Sequence, residues 1–197
     1  MGWTFTPGWN RKDLINDCTK GWDLHAEDNT VIGRCNTLKW CTVGNVLWSV
    51  CETRITAGPK AGKADRWIRC DILSNGGVDG WGCKTMEESM GPNYYTCPPA
   101  YLDMVPCPDS EYARDWREII LNKAKEVKNQ HRLLKSLRPG DKVFLKNSTP
   151  NVFRYDGGKG TRHHISFNEV PYRLPIKRID VERTLAALEE KYGLAPK

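Results

Sequence analysis

The sequence predicts an α+β fold: a mixed N-terminal unit, a long connecting helix, and a small β-rich unit. Three observations carry this. Residues 46–56 and 65–74 alternate apolar and polar side chains on either side of a turn-rich segment, the pattern of an antiparallel hairpin. Residues 110–137 repeat Tyr112, Trp116, Ile119, Ile120, Ala124, Val127, Leu134 and Leu137 at helical spacing. From Pro139 onward, short strand patterns broken by Gly, Pro and Asn run into an amphipathic helix. The expected divisions are 1–108, a Trp- and Cys-rich α+β domain; 109–138, a basic amphipathic helix; and 139–197, a small β-barrel or meander with a closing helix.

Each element has a local cause. Asn10 is a good helix cap, Leu14, Ile15 and Cys18 share a face, and Gly21 stops the turn, so 10–20 is a short helix. In the first hairpin strand Leu47, Ser49, Cys51, Thr53 and Ile55 point one way and Val46, Trp48 and Val50 the other. The connection at 57–64 superficially resembles a phosphate loop. Three residues rather than four separate Gly58 from Gly62, Ala64 stands where Ser or Thr would hold magnesium, and the segment joins two strands. It is therefore an exposed turn that presents Lys60 and Lys63. Residues 75–80 are loop, and Thr85 with Glu88 has capping-box spacing, which predicts a helical turn ending at Gly91-Pro92. An irregular aromatic segment leads to Cys107-Pro108. The long helix starts at Ser110 and stops at Arg138-Pro139-Gly140. Strands follow at 142–146, 151–155, 161–167 and 172–176, with a Gly-rich turn at 157–160; Pro175 places the last strand at an edge. Asp180 caps the closing helix, which carries Val181, Leu185, Leu188 and Tyr192 on one side and ends at Gly193.

Composition narrows the function. The chain has 197 residues, 27% charged and 39% hydrophobic, enough for a real core and too apolar for wholesale disorder. No apolar run reaches the roughly 18 residues of a membrane span. The start lacks the basic and apolar regions of a signal peptide, so the expected compartment is the cytoplasm, where thiols stay reduced. All eight tryptophans fall within the first 116 residues and all eight cysteines within the first 107. No C-x-x-C pair occurs, and the nearest pair, Cys35 and Cys41, has five residues between. Free, mostly buried thiols are expected, with Cys97 and Cys107 the exposed ones and a scattered zinc site the alternative; no metal or cofactor is assigned.

Charge points to a partner. Net charge is +6, and residues 114–146 alone hold ten Lys/Arg against four Asp/Glu. A localised cationic stretch is the electrostatic footprint of a polyanion site. Lys123, Lys125, Lys128, Arg132 and Lys135 supply it, with Lys60 and Lys63 secondary. Aromatic and basic neighbours, Trp67 with Arg66 and Arg69, Tyr155 with Arg154, and Tyr172 with Arg173, suit base stacking beside phosphates. The favoured expectation is a non-enzymatic protein that binds nucleic acid or a host nucleoprotein, with no membrane partner. One alternative is a small enzyme whose site lies in 79–107, using Glu87, Glu88, Tyr94, Tyr95 and Cys97, since paired carboxylates beside aromatic rings can serve as acid and base. Another is a protein–protein scaffold. No G-x-S-x-G, H-E-x-x-H, zinc-deaminase or dinucleotide-binding pattern occurs. His163 and His164 are adjacent on a strand and point to opposite faces, so they do not share a metal.

Residues 81–98, Trp-Gly-Cys-Lys-Thr-Met-Glu-Glu-Ser-Met-Gly-Pro-Asn-Tyr-Tyr-Thr-Cys-Pro, are followed at 101–106 by Tyr-Leu-Asp-Met-Val-Pro. Together with the opening Met-Gly-Trp-Thr-Phe, Arg11-Lys-Asp-Leu-Ile and Val46-Leu-Trp-Ser-Val, this text resembles uncharacterised domains carried by phages, prophages and plasmids. The likeness spans most of 1–120 and is looser from Leu137 onward. It implies a setting, a mobile genetic element in a bacterial cytoplasm, where small proteins handle element nucleic acid or counter host defences of the anti-CRISPR or anti-restriction kind. It carries no catalytic residues to transfer.

Overall fold

The computed structural model describes residues 2–148, 150–159 and 161–193. The fold is α+β, with four helices and ten strands among the described residues. Two compact units divide inside the long helix, at 1–122 and 123–197.

The first unit is built on a six-stranded antiparallel sheet. Its strands are β1 (Thr4–Thr6), β2 (Trp22–His25), β3 (Val31–Val43), β4 (Val46–Ile55), β5 (Ala64–Asn75) and β6 (Trp81–Glu87), in the spatial order β1-β6-β5-β4-β3-β2. The predicted hairpin is β4 and β5, and its two faces are as the alternation requires. Val46, Trp48 and Val50 join Ile68 and Cys70 in a core with Tyr101, Leu102, Val105, Trp116 and Ile120. On the opposite face Leu47 and Leu73 pack against Leu14 and Cys18 of helix α1 (Arg11–Thr19). Asn10 caps α1 with a complete capping box. Gly21 turns the chain from α1 into β2 at φ +74°, where an added Cβ would stand 2.5 Å from the Cys35 carbonyl.

Two expectations fail here. The helical turn expected from the capping-box spacing at Thr85 and Glu88 does not start at Thr85: 81–87 is strand β6, paired with β5 from Arg69↔Glu87 to Asn75↔Trp81, and only the 3-10 turn Glu88–Met90 forms, ending at Gly91 as expected. The free edge of β5 supplies a ladder of backbone hydrogen bonds that one local cap cannot match. Cys97 is buried, not exposed, because the aromatic segment packs into the main core, whereas Cys107 is exposed. That segment is pinned by the Trp48 indole donating to Thr96 Oγ1 at 3.1 Å and the Trp116 indole donating to the Tyr94 carbonyl at 2.8 Å. It contains the one-turn helix α2 (Pro99–Leu102).

The long helix α3 (Glu111–Ser136) has the predicted span, with the Ala113 amide donating to Ser110 Oγ. In the second unit it contributes buried Leu133 to the core, and half-buried Leu137 joins from just past its end. Val127 and Leu134, expected on its apolar stripe, are exposed. So is Tyr112, near its start.

The second unit's sheet holds β7 (Lys142–Val143), β8 (Phe153–Lys159), β9 (Arg162–Phe167) and β10 (Val170–Pro175), in the antiparallel order β10-β9-β8-β7. It is an open meander with β10 at one edge. The expected first strand shrinks to two residues, and Leu145 instead bridges to Ile179. Gly157 and Gly158, expected in a turn, continue β8 past a bulge after Tyr155, and Gly160 lies outside the described residues. Helix α4 (Val181–Tyr192) is capped by Asp180 and ends at Gly193 with φ +62°. Val181, Leu185 and Leu188 pack with Val143, Phe153, Tyr155, Ile165 and Ile179. Buried Asp141 ties α4 to the sheet, accepting hydrogen bonds from Lys191 Nζ at 2.7 Å and the Tyr192 hydroxyl at 2.6 Å. Burial alone would raise this carboxyl. The bonds from Lys191, Tyr192 and the Arg138 amide outweigh it and hold the pKa below the ordinary value.

Candidate nucleic-acid interface

Charge divides with the units. Residues 123–197 carry 17 Lys/Arg against 8 Asp/Glu, a net +9, whereas residues 1–122 carry 13 against 16, a net −3. The +6 of the whole chain therefore understates the second unit.

Helical geometry at 100° per residue sorts the five cations of α3. Lys125, Lys128, Arg132 and Lys135 fall within an arc of about 80°, while Lys123 lies on another side. From Lys125 to Lys135 the strip runs about 15 Å at 1.5 Å per residue. Arg132 is engaged, donating to Glu189 Oε1 of α4 at 2.7 Å. The nearby Glu126 is turned to Lys146 at 3.3 Å. Lys125, Lys128 and Lys135 are exposed, and among the described residues none of them has an ion-pair partner. Three free ammonium groups on one helix face are a surface that repels itself until an anion covers it.

A second set lies on the sheet. Alternation along β9 buries His163 and Ile165 and leaves Arg162 and His164 outside. Their partners on β10 are Pro175 and exposed Arg173, and across β8 the partner of His164 is Gly157, which has no side chain to cover it. Arg162, His164 and Arg173 thus form a basic patch on the solvent face of the sheet. Arg154, also outward, is paired with Asp156 at 2.9 Å. The sequence reading noted Arg173 and His164 singly and missed Arg162; only the strand register joins them.

No protein-family model, curated protein or solved structure matches the chain.

The aromatic–basic neighbours separate in the fold. Tyr155 is a core residue whose hydroxyl lies 3.3 Å from His163 Nδ1. Arg69 is half-buried, paired with Asp71 and over the Trp22 ring at 5.2 Å, so its charge is already engaged. Tyr172 remains exposed beside Arg173, with its ring edge-on to Phe153. Lys60 and Lys63 are exposed on the β4–β5 turn of the first unit, on a different body from the helical strip.

The residues of the enzyme alternative converge only in part. Glu88 is buried and bound through both carboxylate oxygens to Arg117, whose Nη2 also donates to the Val105 and Pro106 carbonyls at 3.0 and 3.2 Å. Burial raises the Cys97 thiol pKa well above its ordinary value, which leaves it a poor nucleophile. An open depression of about 590 Å³ lies at the end of the sheet, walled by Trp22, Trp67, Arg66, Glu87 and exposed Cys107. Of the five candidates Glu87 and Glu88 line it, whereas Tyr94, Tyr95 and Cys97 do not. No helix is long and apolar enough to cross a membrane, among the described residues.

Proposed function

We propose that the chain is a nucleic-acid-binding accessory protein of a mobile genetic element, and that its second unit supplies the contact. The observation that carries this is the exposed, unpaired set Lys125, Lys128 and Lys135 on one face of α3, within a unit of net charge +9. Counterion release from the nucleic acid drives such binding, and the phosphate backbone is what these side chains contact. Arg162, His164 and Arg173 form a second basic patch, on the solvent face of the sheet. The setting, and with it a counter-defence role against a host nucleoprotein, rests on the resemblance to phage and plasmid domains.

A salt titration with single- and double-stranded DNA and RNA tests it. Three contacted lysines predict that replacing Lys125, Lys128 and Lys135 by Ala flattens the slope of log K against log salt by about 2.7 on duplex and about 2 on single strands. Lys60→Ala with Lys63→Ala leaves the slope unchanged. Absence of salt-sensitive binding to every one of these nucleic acids, or an unaltered slope in the triple variant, removes the proposal.

A further inference from the structure

Outside the basic unit, one cluster in the first unit has the composition of a metal centre. Cys18 comes from the last turn of α1, Asp71 from β5 and Cys83 from β6. The two sulfurs lie 3.9 Å apart, and a carboxylate oxygen of Asp71 lies within 4.8 Å of both. Tetrahedral zinc with Zn–S bonds of about 2.3 Å sets its thiolates about 3.8 Å apart. Cys18 and Asp71 are buried and Cys83 is half-buried, so the cluster is closed on most sides.

The surroundings orient the carboxylate as a ligand. Asp71 Oδ1 accepts hydrogen bonds from Thr85 Oγ1 at 2.6 Å and from Arg69 Nε at 2.9 Å. Oδ2 has no hydrogen bond, although it is fully buried and stands in ionic contact with the same Arg69. Metal-ligating carboxylates are held by hydrogen bonds of this kind, and Oδ2 accepts none. Charge agrees. Two thiolates and a carboxylate sum to −3, Arg69 returns +1, and a divalent cation makes the buried group neutral. The neighbouring pair Cys35 and Cys51 sits among Thr37 and Thr53 without a carboxylate and lacks this balance.

We propose that Cys18, Asp71 and Cys83 bind one zinc-class divalent cation, with the thiols giving up two protons and water taking the fourth position. Thiolate ligands select zinc over magnesium or calcium. The sequence hid the site because its ligands are far apart in the chain and show none of the close spacing of zinc motifs.

The test is titration of the full-length, chelator-stripped, reduced protein with zinc and, separately, with cobalt. One equivalent should bind, and the cobalt form should show a sulfur-to-cobalt charge-transfer band. Cys18→Ser and Cys83→Ser should each weaken binding at least tenfold, and Cys107→Ser should leave it unchanged. In the unaltered protein, which needs no variant to fold, zinc should slow alkylation of Cys18 and Cys83 but not of Cys107. No stoichiometric binding, a cobalt spectrum without the sulfur band, or labelling of Cys18 and Cys83 indifferent to zinc would each overturn the proposal.

Discussion

Arg117 shows what one half-buried guanidinium does for an irregular segment. It neutralises Glu88 and donates to three successive parts of the aromatic stretch, at Leu102, Val105 and Pro106. Removing it strands a buried carboxylate and three carbonyls. Arg117→Ala should therefore destabilise by about 3–5 kcal/mol in urea unfolding, and Glu88→Leu combined with Arg117→Met should recover much of that. His163 acts at the same scale in the second unit. Burial, with a smaller push from His164, holds its imidazole below the ordinary value of about 6.5. The unfolded chain then takes up a proton that the folded one refuses, so stability is complete above about pH 6.5 and falls as pH drops toward the folded pKa. Calorimetry should show the melting temperature dropping by up to ~5 °C between pH 7 and 5.5, with His163→Gln flattening that dependence and His164→Gln preserving it.

At the scale of elements, α3 carries two burdens that one stripe cannot serve. The residues at helical spacing include Val127 and Leu134, yet Leu133 is the residue with no exposure and Leu134 is 36% exposed. Leu133→Ala should cost about 2–5 kcal/mol and Leu134→Ala less than ~1 kcal/mol, compared by denaturant midpoints. The same logic explains which elements were legible. The β4–β5 hairpin, α3 and α4 have strong local periods and clear caps, so pattern alone finds them. β3 does not: its 13 residues alternate weakly, and a bulge between Thr37 and Lys39 shifts the period halfway along. β6 was misread because its cause is the distant edge of β5, while its local spacing resembles a helix cap.

For the whole molecule, the concentration of cations was legible and their fate was not. A count along 114–146 finds the basic stretch, but only the fold shows Glu189 claiming Arg132 from 57 residues away and leaving the three lysines bare. Equally, no spacing rule anticipates Cys18, Asp71 and Cys83 meeting across a helix and two strands. The boundary between the acidic and basic bodies falls in the middle of a continuous helix, after Asn122. That has a practical corollary for anyone wishing to express the basic body alone. Truncation at the boundary would begin a polypeptide mid-helix, with four amide groups stripped of acceptors and the Ser110 cap discarded, so its first turns would fray. A start upstream of Ser110 retains that cap but brings along apolar Trp116 and Ile120 with nothing to bury them. The shared rod thus makes the two bodies awkward to separate by simple excision.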